Sequence, residues 1–240
     1  MRLQVLASDY DDTLAREGRI DTLALERIEL TRSAGIKVVL VTGRRMTELI
    51  DVFPDLSAVD FVVAENGGYA YSPAEDRGWL LAPALDPSLV EALRDGGVSP
   101  LYVGDAIVST LEPCLAVVNE VVSRHPAGYA VIRNRESLMM LPHGIDKGSG
   151  LTAALELLGV SYQTTAAVGD AENDISLIAA ARLGVAVGDA VDALKAAATL
   201  VTHAAGPQGF VELVDALAAA DWEVDAIGAG PPNVRAARAC

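Results

Sequence analysis

The stretch Leu3-Gln4-Val5-Leu6-Ala7-Ser8-Asp9-Tyr10-Asp11-Asp12-Thr13 decides how the rest of the chain is read. Residues 3–8 form a short, mostly apolar run without Pro, which reads as a buried strand. Acids follow at once. If the backbone stays extended past the strand, Asp9 and Asp11 project to the same side, because side chains alternate along a strand. Two carboxylates held that close repel each other unless a cation or a proton lies between them. The plainer alternative for this segment is a solvated acidic turn.

Outward from this stretch, short apolar runs alternate with longer helical patterns. Residues 37–42, 61–64, 165–169 and 184–187 read as further buried strands, with 200–202 a possible sixth. They are short, rich in Val and Ala, and bounded largely by polar residues and Gly. Helices are expected between them at 23–34, 44–53, 149–158, 172–182 and 210–220. Asp21 is placed to cap the first, whose core-facing candidates include Leu23, Ile28 and Leu30, and Gly35 to stop it. Such alternation predicts an α/β fold, a parallel sheet covered on both faces. The rhythm breaks over residues 72–145, where Pro83, Pro87, Pro100, Pro113, Pro126 and Pro142 punctuate the chain. There, helices at 87–94 and 113–124 and strands at 130–132 and 138–141 predict a smaller inserted α+β module. The expected division is a core of 1–71 and 146–225, an insertion of 72–145, and a small-residue tail, 226–240, that is mobile.

Parallel sheets bind ligands at the carboxyl ends of their strands. Besides Asp9 and Asp11, three groups fall there. Thr42-Gly43-Arg44 offers a hydroxyl and free amides at a helix start, which suits a phosphate, although Thr as a helix cap explains it too. Lys147, in Gly144-Ile145-Asp146-Lys147-Gly148, is a compact charge able to neutralise a phosphoryl oxygen. Gly169-Asp170-Ala171-Glu172-Asn173-Asp174 follows a strand, and its spacing lets Asp170 and Asp174 face one site. An acidic helix start fits Glu172 and Asp174, and Asp170 less well. Taken together, several carboxylates with few neutralising groups invite a hard divalent cation, Mg²⁺ before others.

The order and residue types resemble the haloacid dehalogenase superfamily of phosphatases. The resemblance rests on Asp9-Tyr10-Asp11-Asp12-Thr13, Thr42, Lys147 and Gly169 to Asp174. Asn66-Gly67-Gly68 and the run from Gly144 to Leu151 resemble its Cof-like branch, whose α+β cap the insertion matches. It implies a Rossmann-like core carrying a cap domain. It further implies a Mg²⁺-dependent phosphoric monoester hydrolase acting on a small metabolite, phosphoglycolate or a sugar phosphate, through an aspartyl-phosphate. Asp9 would be the nucleophile and Asp11 the general acid and base. Thr42, Gly43, Lys147 and Asn173 would hold the phosphoryl group. The metal would sit among Asp9, Asp11 (through its backbone carbonyl), Asp170 and Asp174, with Asp174 ligating directly, through water, or by orienting Lys147. One departure stands out: Asp12 occupies a position that is usually Gly. Asp tolerates a positive φ better than most residues, but it brings negative charge beside an anion site.

Within the insertion, Arg133-Asn134-Arg135 is the densest basic cluster; it reads as a solvated strand edge or as a receptor for a second anionic group. Alternatives of other classes are a phosphomutase, which would need a bisphosphate activator, and a non-enzymatic phospho-acceptor of the receiver kind. The receiver is about half this length and lacks the second acidic motif and the cap. Composition excludes other roles. The 240 residues carry a formal net charge of −15, from 33 acids against 18 Lys and Arg. That argues against nucleic acid, which needs a basic face, and against an anionic membrane surface. No uninterrupted apolar stretch approaches membrane-spanning length, and Asp9 interrupts the N-terminus too early for a signal peptide. Two cysteines, Cys114 and Cys240, make no disulfide framework. A cytoplasmic protein is expected; its oligomeric state is open.

Overall fold

The structure is a computed structural model describing residues 1–229 and 234–236. In chain order the strands are β1 (Val5–Asp9), β2 (Ala15–Arg16), β3 (Arg19–Ile20), β4 (Lys37–Val41), β5 (Phe61–Ala64), β6 (Tyr69–Ser72), β7 (Arg77–Leu80), β8 (Tyr102–Val103), β9 (Val108–Leu111), β10 (Tyr129–Asn134), β11 (Ser137–Pro142), β12 (Thr165–Gly169), β13 (Leu183–Ala186), β14 (Leu200–Thr202) and β15 (Val234–Ala236). The helices are α1 (Thr22–Ser33), α2 (Met46–Val52), α3 (Pro87–Asp95), α4 (Leu115–Arg124), α5 (Lys147–Leu158), α6 (Ile175–Ala179), α7 (Asp192–Ala197) and α8 (Gly206–Ala219).

Nine strands form one sheet in the order β15-β14-β13-β12-β1-β4-β5-β6-β7. The six from β14 to β5 are parallel, and antiparallel strands finish both edges. All five residues of β1 are buried, as a central strand covered on both faces requires. Its neighbours are β12 and β4, so the strand order reverses at β1 and a crevice opens at its carboxyl end. Register sets the site: Ser8 lies opposite Val168, and Asp9 opposite Val41. Neighbouring strands lie about 4.8 Å apart, so Asp9, Thr42 and Asp170 emerge side by side from segments distant in sequence.

The second sheet has four antiparallel strands, β10-β11-β9-β8. Side-chain alternation along β11 divides its apolar residues between two faces. Leu138 and Met140 pack with Leu89, Leu93, Val118 and Val122 of α3 and α4. Met139 and Leu141 join Ile107 in a separate cluster, and Met139 also lines the cleft at the strand tips.

Several sequence expectations meet local physics here. Asp21 caps α1, its carboxylate accepting the N–H groups of Leu23 and Ala24. Gly159 ends α5 in the left-handed conformation at φ 66°. Leu23 and Leu30 are exposed, whereas Ile28 is buried. The inward stripe of α1 is Ala24, Ile28 and Thr31, and the two leucines each lie one position off it. Helix α6 stops at Ala179, short of residue 182, because residues 172–174 form a separate 3-10 turn and β13 begins at Leu183. Residues 77–80, expected in the insertion, pair with β6 and extend the core sheet. Of the expected mobile tail, 226–229 continue a 3-10 helix and β15 pairs with β14; the remainder lies outside the described residues. Among the described residues no helix is long and apolar enough to cross a membrane.

Candidate active site

The carboxyl end of β1 opens into a cleft of about 380 Å³ whose lining comes from both sheets. Asp9 ends β1 and is 4% exposed. Lys147 opens α5, its backbone oriented by the Asp146 cap, and is 2% exposed. Its Nζ donates to Asp9 Oδ1 and to Asp174 Oδ1, each at 2.6 Å. The other oxygen of Asp174 accepts the backbone N–H groups of Asp170 and Ala171, both at 3.0 Å. This fold-back needs Gly169: a Cβ there would lie 2.5 Å from Asp174 Cβ and Cγ. Asp174 is thereby fully engaged, holding Lys147 on one side and the Asp170 loop on the other.

Asp9, Asp170 and Asp174 each offer an oxygen within 4.8 Å of the others, and all three are buried. Burial pushes the Asp9 carboxyl well above its usual range, and the charges of Asp174 and Asp170 add to it, against the opposing pull of Lys147. Asp170 is pushed up to about 6, by burial first and by Asp174 second. For Lys147, burial favours the neutral amine, but Asp174 and Asp9 outweigh it and hold the ammonium above its usual range. Five carboxylates (Asp9, Asp11, Asp12, Glu48, Asp170) line the cleft against three cations (Arg44, Arg135, Lys147). Such a site repels a phosphate dianion until further positive charge enters. A hard cation between the carboxylates of Asp9 and Asp170 fits that deficit; in the structure Asp170 accepts from the Thr13 hydroxyl at 3.3 Å and from Arg135.

Asp11 lies apart from the acid trio. Its carboxylate is gripped at two points by Arg44, through Nε and Nη2, each at 2.7 Å. The sequence placed Arg44 at the site without a role; its two-point geometry is what a guanidinium and a carboxylate favour. Thr42 is buried, and its hydroxyl accepts the N–H of Arg44 at 3.1 Å. Thr42 itself does not line the cleft, whereas Gly43 does. Asn173 donates to Asn66 Oδ1 at 3.0 Å, leaving its own Oδ1 and the Nδ2 of Asn66 buried without partners. Asp12 adopts φ 56°, the conformation that explains Gly at this position in the resembling family.

Two links join the sheets; neither pairing was readable from the sequence, although Asp12 and Arg135 were each singled out there. Glu65, 2% exposed, accepts the N–H groups of Asp105, Ala106 and Ile107, tying the β8–β9 turn to the core. Arg135, between β10 and β11, reaches Asp12 and also Asp170, the latter at 2.8 Å. A larger hollow of about 780 Å³ lies along α1 beside Lys37, at the opposite end of β4. Its Arg32 and Asp60 are paired with each other, and it carries no comparable chemistry.

Comparison with known proteins gives the same picture. The sequence model of the haloacid dehalogenase-like hydrolases matches residues 6–95 and 112–213. A phosphoglycolate phosphatase of Methanosarcina acetivorans is 27% identical over 228 residues, covering 92% of this chain and 100% of its own. One from Pyrobaculum neutrophilum is 32% identical over 224 residues, covering 90% and 96%. Among solved structures, a haloacid dehalogenase-like hydrolase from Bacteroides thetaiotaomicron superposes with a TM-score of 0.77 at 22% identity, covering 89% of this chain and 99% of that one. The chain belongs to the haloacid dehalogenase-like hydrolase family, and is a phosphoric monoester hydrolase.

Proposed function

We propose that this hydrolase is a Mg²⁺-dependent phosphatase of a small phosphorylated metabolite in the cytoplasm, with phosphoglycolate its foremost candidate substrate. The observation that carries the reading is the buried Lys147 ammonium shared by Asp9 and Asp174, with Asp170 beside them. The identity to phosphoglycolate phosphatases over nearly the whole chain supports the substrate.

In this reading an Asp9 oxygen attacks phosphorus, forming an aspartyl-phosphate as the bond to the leaving oxygen breaks. Asp11 donates the proton that the leaving oxygen takes up. To carry that proton, Asp11 parts from one of the two Arg44 contacts. Asp11 then takes a proton from water as the water oxygen bonds phosphorus, releasing inorganic phosphate and regenerating Asp9. The Gly43 amide, Lys147 and Asn173 hold the phosphoryl oxygens, and Thr42, off the cleft wall, braces the turn that presents them through its bond to the Arg44 N–H. Asp9, Asp170 and the Asp11 backbone carbonyl would hold Mg²⁺, which would supply charge to keep Asp9 ionised and to offset the incoming anion. Asp174 serves by orienting Lys147 and the Asp170 loop, one oxygen accepting from the Lys147 ammonium and the other from the amides of Asp170 and Ala171.

The test is phosphate release from a panel of phosphorylated metabolites, 2-phosphoglycolate included, with Mg²⁺. Wild-type protein is expected to turn over at least one. Asp9→Asn is expected to fold normally and release none; normal turnover by that variant would remove Asp9 as nucleophile.

A further inference from the structure

The three cations of the cleft are not equivalent. Lys147 is committed to Asp9 and Asp174, and Arg44 is committed at two points to Asp11. Arg135 differs in origin and in exposure. It stands in the turn between β10 and β11, with φ 52°, and its side chain is 59% exposed. Nη1 donates to Asp12 and Nη2 to Asp170. A guanidinium carries five N–H donors, so these two contacts leave others for a ligand. Arg135 therefore spans from the smaller sheet to the core across the cleft.

Its core partner is the residue that departs from the family pattern. A carboxylate at position 12 opposes anion binding unless something offsets it. Here Arg135 offsets it, and Asp12 in turn fixes a guanidinium that is otherwise largely in solvent. The second partner, Asp170, belongs to the acid trio suited to a cation. The contact to Asp170 is thus the one that an incoming carboxylate would replace, while Asp12 keeps its hold. Arg135 stands one carboxylate away from the Asp9 group. An Asp170 oxygen lies within 4.8 Å of one on Asp9, and both line the cleft that Arg135 enters.

Resting on the phosphatase reading above, we infer that Arg135 is a specificity residue, positioned by Asp12, that takes a carboxylate borne by the leaving group of the substrate. The planar fork of a guanidinium matches a carboxylate at two points.

The test compares 2-phosphoglycolate with ethyl phosphate, which lacks the carboxylate, in wild type, Arg135→Gln and Asp12→Asn. The ratio of their kcat/KM values should fall about 10- to 100-fold in Arg135→Gln, the loss expected for a charge-assisted contact. The fall should come chiefly through KM for 2-phosphoglycolate. Asp12→Asn should lower the ratio in the same direction by a smaller factor. Binding of both compounds to Asp9→Asn, with and without Arg135→Gln, is measured by calorimetry as a readout independent of turnover. There, 2-phosphoglycolate should lose affinity relative to ethyl phosphate. If both substrates suffer equally in both measurements, or neither suffers, Arg135 only fastens the two sheets together and the inference is overturned. A wild type that hydrolyses neither compound refutes the phosphatase reading for this substrate class, and calorimetry alone then decides Arg135.

Discussion

Replacing Lys147 with Met removes one ammonium from between two buried carboxylates. In the wild type its Nζ lies 2.6 Å from an oxygen of each, and all three side chains are nearly or fully buried. Breaking a buried ion pair from one side costs about 3–5 kcal/mol, because the remaining charge stays desolvated. Here two remain, with oxygens within 4.8 Å. Their repulsion is about 3.5 kcal/mol at an effective dielectric constant near 20. The chain can relieve it by protonating Asp9, whose carboxyl burial already pushes up. A carboxyl raised in the folded state adds stability at low pH that disappears as pH rises through its folded value. The deficit of Lys147→Met should therefore be largest near about pH 8 and shrink toward about pH 5. At the upper pH we expect a loss of about 3–5 kcal/mol, seen as a Tm lower by roughly 6–20 °C for a chain of this length. The assay is thermal unfolding followed by circular dichroism in a chelator, at both pH values. Lys147→Met/Asp9→Asn should recover part of the loss at the upper pH. A single variant as stable as wild type there, or a deficit indifferent both to pH and to Asp9→Asn, would refute the reasoning.

Other outcomes follow from the same geometry. Asp11→Asn should lower kcat by about 10²–10⁴, the usual loss of a general acid and base, with a poor leaving group showing it most; an unchanged rate would contradict its role. Asp170, pushed up to about 6, must be ionised to hold Mg²⁺. The Tm gain on adding Mg²⁺ should therefore be large near about pH 8 and small near about pH 5, and a gain that is equal or larger at the lower pH would exclude Asp170 as a ligand.

What the sequence disclosed was local. Three of the site segments follow short apolar runs that read as strands, so the tips of β1, β4 and β12 could be placed from the sequence. The Asp21 cap and the Gly35 stop were legible for the same reason, since both are set by neighbouring backbone. Long-range pairing was not legible. Asp12 and Arg135 lie 123 residues apart, and neither shows in its own neighbourhood that the other will meet it. Arg44 sits in a recognisable turn, yet its two-point grip on Asp11 depends on how two loops converge. Glu65 reads as part of an Asn-Gly turn; that its carboxylate docks three amides follows only from the approach of the β8–β9 turn. The run Arg77–Leu80 is a weak strand by composition and joins the core sheet because β6 presents an open edge to it. On α1, Leu23 and Leu30 drew attention by side-chain type, whereas the helix buries Ala24 and Thr31 by phase.

The central claim is that phosphoryl transfer passes through Asp9. Its most direct test is to quench the enzyme in acid during turnover, reduce with borohydride, and map the modified peptide by mass spectrometry. The account predicts that Asp9 alone, in the peptide carrying Asp9-Tyr10-Asp11-Asp12, is converted to homoserine. Steady turnover with Asp9 unmodified and the label at another residue would contradict it.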